Sequence, residues 1–372
     1  MSVAPKAASA VTFREARFDD YKQVAAIQAR RGLAPKSFEE WQHLWVNNPL
    51  YKKLAAWHLG WVAENEDGEI VGYAGHIPLS YEFRGREIIA AAAHGLSIDR
   101  LYRGKGVYLL RRHVMDELTD VVLTSNTNPN SARLCDAMCS RVPTGNWSQA
   151  AFWIVNYRKF LDSALGKKGW PKWLSLPASA ALVARDRLTT TGTWMLRDGR
   201  SKVENCEGFD ERFDRFWEKL REANPNKFLA TRSREVLQWH FQYSLARNRV
   251  WVVTAEDNSG MTGYAIFCRK DLPAIGLTRA RLIDFQVLND NVEMLIPMLS
   301  RAFRRCQDEG VHMLEAFGFA PAKQRVIESL KPYHRQFAAW IYFYRARDRA
   351  LAKELEDGAV WDPCQFDGDS TL

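Results

Sequence analysis

The second half of this chain repeats the first. Trp45 is followed by a strand-like segment containing Gly72-Tyr73, and Trp239 by Gly263-Tyr264 at nearly the same interval. Each Gly-Tyr segment follows an apolar stretch closed by an acidic turn, Trp61-Val-Ala-Glu-Asn-Glu-Asp-Gly68 in one half and Trp251-Val-Val-Thr-Ala-Glu-Asp-Asn-Ser-Gly260 in the other. Further apolar strand-like runs begin, again in step, near Val121 and Val311. Two like units stacked in one chain are the simplest source of such self-similarity, and 372 residues suffice for two cores of ordinary size. Strand-like runs alternate with helical stretches at 18–31, 107–118 and 292–309, which implies an α/β architecture with a mixed sheet in each half. The expected limits are 11–160 for the first unit, 161–205 for a linker and 206–372 for the second.

Arg103-Gly104-Lys105-Gly106-Val107-Tyr108 lies between a strand-like run, Ile88 to Ile98, and a helical run beginning at Tyr108. A strand that passes through a Gly-rich turn into a helix leaves the first amides of that helix unpaired, where they suit a phosphate or pyrophosphate. Gly104 and Gly106 allow close approach, and Arg103 and Lys105 add charge. The pattern is not a Walker loop, since no Gly-Lys-Ser/Thr follows. It is not a dinucleotide fingerprint either, since Leu109 stands where a third glycine is required.

Over most of residues 11–160 the sequence resembles the GNAT superfamily of acyl-CoA-dependent N-acyltransferases. Arg103, Gly106 and Tyr108 match its Arg/Gln-x-x-Gly-x-Gly/Ala loop, with Tyr108 in place of a small residue. Leu96-Ser97-Ile98 resembles the strand edge that carries the pantetheine arm, and the Asn126-to-Ser131 segment resembles the Asn-rich turn after strand five. The resemblance implies a mostly antiparallel central sheet flanked by helices in each of two tandem domains. It also implies acetyl-CoA or another acyl-CoA as cosubstrate, bound by residues 96–98, 103–108 and Asn128. The tandem plan and the Trp361-to-Asp369 tail resemble bacterial two-domain GNAT proteins of exopolysaccharide or cell-envelope synthesis, which suggests a small-molecule amine acceptor such as an amino sugar. In the second unit the loop position reads Leu288-Asn-Asp-Asn-Val-Glu293, without glycine and with two acidic side chains, so one cofactor site is expected.

Amide formation needs a base for the acceptor amine and an acid for the leaving thiolate. His94, on the fourth-strand segment, is the candidate base, against a structural histidine satisfied by backbone. The family's Asn-x-x-Ala/Ser-x-x-x-Tyr spacing, counted from Asn128, places Ser131 in register but Cys135 where the tyrosine acid belongs. Cys135 is therefore the candidate acid or acyl carrier, against a buried apolar filler, with Cys139 on the same helical face. Asp99 and Glu64 are further carboxylate candidates.

Lysine and arginine outnumber aspartate and glutamate 52 to 44, a net charge of +8 that suits CoA phosphates, nucleic acid or a membrane surface alike. No nucleic-acid motif is present, and nucleic acid is not an expected partner. Six cysteines without a C-x-x-C pair argue against a disulfide framework or a zinc site. The first ten residues lack an apolar leader core and no run reaches the roughly 18 apolar residues of a membrane span, so a cytoplasmic chain is expected. Of the 14 tryptophans, Trp41, Trp45, Trp217 and Trp239 sit at helical spacings of a core, while Trp147, Trp153, Trp170, Trp173 and Trp194 could also stack on a ligand. Within 165–188, Trp170 and Trp173 lie beside lysines. That is the composition of an interfacial membrane anchor or of a helical linker packed between domains. The alternatives to an acyl-CoA enzyme are a non-catalytic basic binding protein on the same scaffold and an acyltransferase supplied by acyl carrier protein.

Overall fold

A computed structural model describes residues 10–127, 129–143, 145, 147–188, 202–337 and 340–372. In chain order the first part comprises β1 (Val11–Glu15), α1 (Tyr21–Arg30), α2 (Phe38–Val46), β2 (Gly60–Asn65), β3 (Ile70–Phe83), β4 (Arg86–Ile98), α3 (Gly106–Val114), β5 (Val121–Thr124), α4 (Pro129–Asp136), β6 (Ser140–Arg141) and β7 (Gln149–Ile154). α5 (Tyr157–Lys167), α6 (Ser175–Leu188), β8 (Lys202–Cys206), α7 (Glu211–Ala223), β9 (Leu229–Ala230) and α8 (Arg234–Ala246) follow. The remainder is β10 (Val250–Asp257), β11 (Gly260–Arg269), β12 (Arg279–Val287), α9 (Leu295–Asp308), β13 (Met313–Ala316), α10 (Pro321–Ser329), β14 (Tyr333–Gln336), β15 (Phe343–Ala346) and α11 (Arg349–Glu354).

The strands form two sheets, ordered β1-β2-β3-β4-β5-β15-β6, with β9 on β3, and β14-β7-β13-β12-β11-β10-β8. Both are mostly antiparallel; among the described residues β4·β5 and β12·β13 are the parallel pairs. The repeat is visible in this plan, since β2-β3-β4-β5 and β10-β11-β12-β13 share order and direction. The strands do not respect the chain limits of the units. β7, inside 11–160, pairs with β13 of the second sheet, and β15, inside 206–372, pairs with β5 of the first. The first unit lends β7 to the second sheet, and the second unit lends β15 and the short β9 to the first, so the two sheets are tied together by backbone hydrogen bonds.

Local sequence explains the elements. In α9 the buried residues Leu295, Met298, Leu299, Ala302, Phe303 and Cys306 recur at helical spacing and form the face laid on the second sheet. In α2, Ser37 and Glu40 exchange side-chain-to-amide hydrogen bonds of 3.2 Å at the N-terminus, a capping box. α2 then buries Trp41 and Trp45, one helical turn apart, with ring centroids 5.1 Å from each other. Trp239 of α8 packs into that same cluster with Tyr73 and Ala92, which joins the second half to the core of the first. Trp147, Trp153 and Trp217 are buried core residues. Trp194 lies outside the described residues.

The expected linker 161–205 is structured where described. α5 and α6 pack together, and the Tyr157 and Tyr333 hydroxyls both donate to the buried Asp186 carboxylate, at 2.7 and 2.6 Å. Between these helices Trp170 and Trp173 are 56% and 71% exposed, with Leu176 exposed beside them. This corrects the reading in which these tryptophans pack between domains.

Candidate acyl-transfer site

The site arises where the first sheet opens. β4 pairs with β5 through Ala90, Ala91 and Ala92, opposite Val121, Val122 and Leu123. β5 ends at Thr124, whereas β4 runs on to Ile98, still paired with β3 on its other side. Among the described residues, the β5-side edge of residues 93–98 therefore faces an opening and no paired strand. A bulge in β4 reinforces this: Gly75 opposes His94 while Tyr73 opposes Ser97, one residue too many on the β4 side. Gly95 absorbs the kink with φ of 61°, and a Cβ there would run into the Gln28 side-chain amide.

A cavity of about 390 Å³ fills the opening, lined by His94, Leu96, Leu110, His113, Thr124, Ser131, Cys135 and Asp369 among others. His94 and Cys135, separated in sequence, are thus brought to one cavity. His94 Nδ1 lies 3.2 Å from Asp369 Oδ2, and both side chains are mostly buried. Asp369 was not among the residues expected from sequence; the only hint was the acidic tail. That tail is held by Lys36 Nζ donating to the Leu372 carbonyl at 2.7 Å and Lys270 Nζ donating to the Ser370 carbonyl at 3.1 Å. Burial lowers the pKa of both lysines.

Cys135 is fully buried. Its interaction with the Cys139 thiol, then burial, pushes its own thiol far up. Asp99 and Glu64 are engaged elsewhere: Asp99 pairs with Arg30 at 2.8 Å and Glu64 with Arg14 at 2.6 Å, and neither lines the cavity. Leu96 packs against the Leu110 and Val114 cluster, and Ser97 Oγ donates to the Gly95 carbonyl at 2.8 Å.

The glycine loop is more helical than expected. Residues 100–105 form a 3₁₀ turn that runs directly into α3, and Gly106 has ordinary helical angles, φ −60° and ψ −28°. The Gly106 amide already donates to the Arg103 carbonyl, so it is not one of the unpaired amides expected of this turn. No heavy atom lies within 4 Å of a Cβ built on Gly104, while one on Gly106 would touch Ile98 Cγ2 at 3.5 Å. Packing therefore demands neither glycine, and the backbone at Gly104 is open to a ligand. Arg103, Val107 and Tyr108 are exposed. The Tyr108 ring turns toward Phe13, centroids 5.8 Å apart, with Lys105 Nζ 5.9 Å from its centroid. Asn128 lies outside the described residues.

The corresponding opening of the second sheet is filled. β12 and β13 part after Leu282 and Ala316, with a β12 bulge as in the first sheet. Buried there, Arg232 Nε meets Asp284 Oδ2 at 2.8 Å and Cys364 Sγ meets Asp284 Oδ1 at 3.2 Å. The tail residues that build this plug continue directly to Asp369 at the first opening.

No protein-family model matches the chain, and no curated protein matches it. Solved structures do share its fold. Saccharomyces cerevisiae N-myristoyltransferase with bound myristoyl-CoA superimposes with a TM-score of 0.56 over 92% of this chain and 81% of that one, at 13% identity. A GCN5-related N-acetyltransferase from Kribbella flavida gives 0.53 over 91% and 71%, at 12% identity. A conserved Enterococcus faecalis protein described as a probable N-acyltransferase gives 0.55 over 91% and 73%, at 8% identity. At these identities the likeness is one of fold, a fold this chain shares with N-myristoyltransferase and GCN5-related N-acetyltransferases.

Proposed function

We propose that the chain transfers an acyl group from an acyl-CoA to an amine, with one cofactor site on the first sheet. The observation that carries this reading is the free β4 edge at residues 93–98, which starts at a cavity holding His94 and leads straight into the Arg103–Tyr108 turn. Such an edge supplies unpaired backbone donors and acceptors for a pantetheine arm, and the helix start beyond it suits the pyrophosphate. The fold neighbours include an enzyme holding myristoyl-CoA, which supports the same choice of cosubstrate.

In this reading His94, oriented by Asp369, takes a proton from the acceptor amine and exposes its lone pair. The amine then attacks the thioester carbon directly. The Cys135 thiol, which lines the same cavity, hydrogen-bonds the departing sulfur. The acceptor we favour is a small primary amine, with amino sugars of surface-polysaccharide synthesis as the first class to try. Peripheral membrane contact through Trp170 and Trp173 fits a lipid-linked acceptor. Calorimetric titration with acetyl-CoA and longer acyl-CoAs tests the proposal: micromolar binding is expected, and no binding of any acyl-CoA would overturn it. Binding to acyl carrier protein instead would favour the carrier-supplied variant, and salt-sensitive binding to a polyanion alone would favour a non-catalytic protein.

A further inference from the structure

Beneath the cavity three histidines and an aspartate meet: His58, before β2, His76 on β3, and His113 and Asp116 at the end of α3. All four side chains are buried. The His58 and His76 ring centroids are 4.8 Å apart, as are those of His76 and His113. The backbone around His76 is fixed, since the indole N–H groups of Trp45 and Trp57 both donate to its carbonyl, at 2.9 and 3.0 Å.

Hydrogen bonds and one charge contact order the protons. The Gly60 amide donates to His58 Nδ1 at 3.1 Å, so the neutral His58 carries its proton on Nε2, which donates to Asp116 Oδ2 at 2.5 Å. Burial alone would raise the Asp116 carboxyl, but His58 and the Leu118 amide hold it below its ordinary range, as a carboxylate. Its other oxygen is 3.7 Å from His76 Nε2, too far for a hydrogen bond, and its negative charge favours the His76 tautomer with the proton on that nitrogen. His76 Nδ1 is then bare and accepts from His113 Nδ1–H at 2.8 Å. This order leaves the lone pair on His113 Nε2, which is buried and, among the described residues, without a hydrogen-bond partner, on a ring that lines the acyl-transfer cavity.

We propose that Asp116 and His76 fix the His113 tautomer so that its Nε2 lone pair accepts a proton of the amine substrate during acyl transfer. The proposal rests on the acyl-transfer reading and adds a second base to it. An amine arriving as an ammonium loses one proton to His94 before attack, and a second N–H must go once the nitrogen has bonded to the thioester carbon. That proton passes to His113 Nε2 while the N–H electron pair stays on nitrogen. The resulting positive charge is shared with His76 and faced by Asp116. When the C–S bond breaks, the thiolate takes the proton from His113 and leaves as CoA thiol, so the ring ends as it began.

The same residues invite a metal reading, since His58, His76 and Asp116 offer donor atoms within 4.8 Å of one another. The Gly60 amide argues against it. A metal-bound histidine donates its second N–H to a carbonyl or carboxylate, whereas His58 receives an N–H on Nδ1 and so has no lone pair on Nε2 to give.

Nitrogen NMR of the full chain labelled in histidine tests the tautomer without substrate: at pH 7, His113 is expected protonated on Nδ1 and bare on Nε2. Asp116→Asn should move that proton and lower kcat by about tenfold or more, and His113→Gln by about 100-fold, with the KM for acetyl-CoA unchanged. A His113 protonated on Nε2, or a kcat unaffected by Asp116→Asn, would overturn the proposal. So would one equivalent of zinc(II) bound by chelator-treated protein and lost in His58→Ala, which would assign the cluster to a metal. Failure to bind any acyl-CoA would instead sink the acyl-transfer reading and leave the tautomer result standing.

Discussion

His94 on β4 and Asp369, 275 positions later, meet at 3.2 Å across the opening of the first sheet. In the proposed reaction the carboxylate holds one ring nitrogen and leaves the other for the substrate, the arrangement of an oriented base. His94→Ala should lower kcat by about 100-fold while acetyl-CoA binding by calorimetry stays the same. Asp369→Asn should give a smaller loss in the same direction. Wild-type turnover in His94→Ala would return the histidine to a structural role.

The two glycines of the 103–108 turn should behave differently. A side chain at Gly104 enters open space where a pyrophosphate would lie, so Gly104→Val should weaken acetyl-CoA binding by about tenfold or more, roughly 1.4 kcal/mol. Gly106 is helical and its Cβ would meet Ile98 at ordinary contact distance. Gly106→Ala should therefore keep the affinity and raise stability by about 0.4–1 kcal/mol. Equal affinity in the wild type and Gly104→Val would remove the turn from the cofactor site.

Buried neutral histidines set the acid limit of stability. Burial lowers His113 to about 4 and His240 to about 3, while an unfolded chain binds protons at both near pH 6.5. Between those values the unfolded state carries more protons, so stability is full above about pH 6.5 and is lost as pH falls toward 4. Each histidine contributes a few kcal/mol over that window. Denaturant unfolding of His240→Asn at pH 7 and pH 5 should show a smaller pH-dependent loss than the wild type; an unchanged difference would acquit His240.

The sequence showed the repeated sheet plan through its Gly-Tyr strands and the glycine turn through residue type, because both are local patterns. It could not show that β7 and β15 change places, since strand pairing at long range leaves no mark in hydrophobic periodicity. The role of Asp369 was hidden for the same reason: its partner His94 lies on β4, 275 positions earlier, and only the closure of the tail over the first opening brings them together. The 3₁₀ turn at 100–105 was missed because Gly104 and Gly106 read as an open loop, although neither adopts a positive φ. The histidines 58, 76 and 113 carried no spacing that links them; β3 and α3 must pack before they become one group.

Trp170 and Trp173 give the last expectation. Among the described residues no helix is long and apolar enough to cross a membrane. Their indoles stand out to solvent beside Leu176, Lys167 and Lys168, with Lys168 Nζ 5.8 Å from the Trp170 ring centroid. Cationic side chains around exposed tryptophans fit an anionic lipid surface. The full chain should co-float with vesicles containing phosphatidylserine, and less so as salt rises. Trp170→Ser with Trp173→Ser should abolish flotation and leave the melting temperature within a few degrees, because little buried area is lost. No flotation of the wild type would exclude the anchor, and a large fall in melting temperature would mean that these rings pack against protein after all.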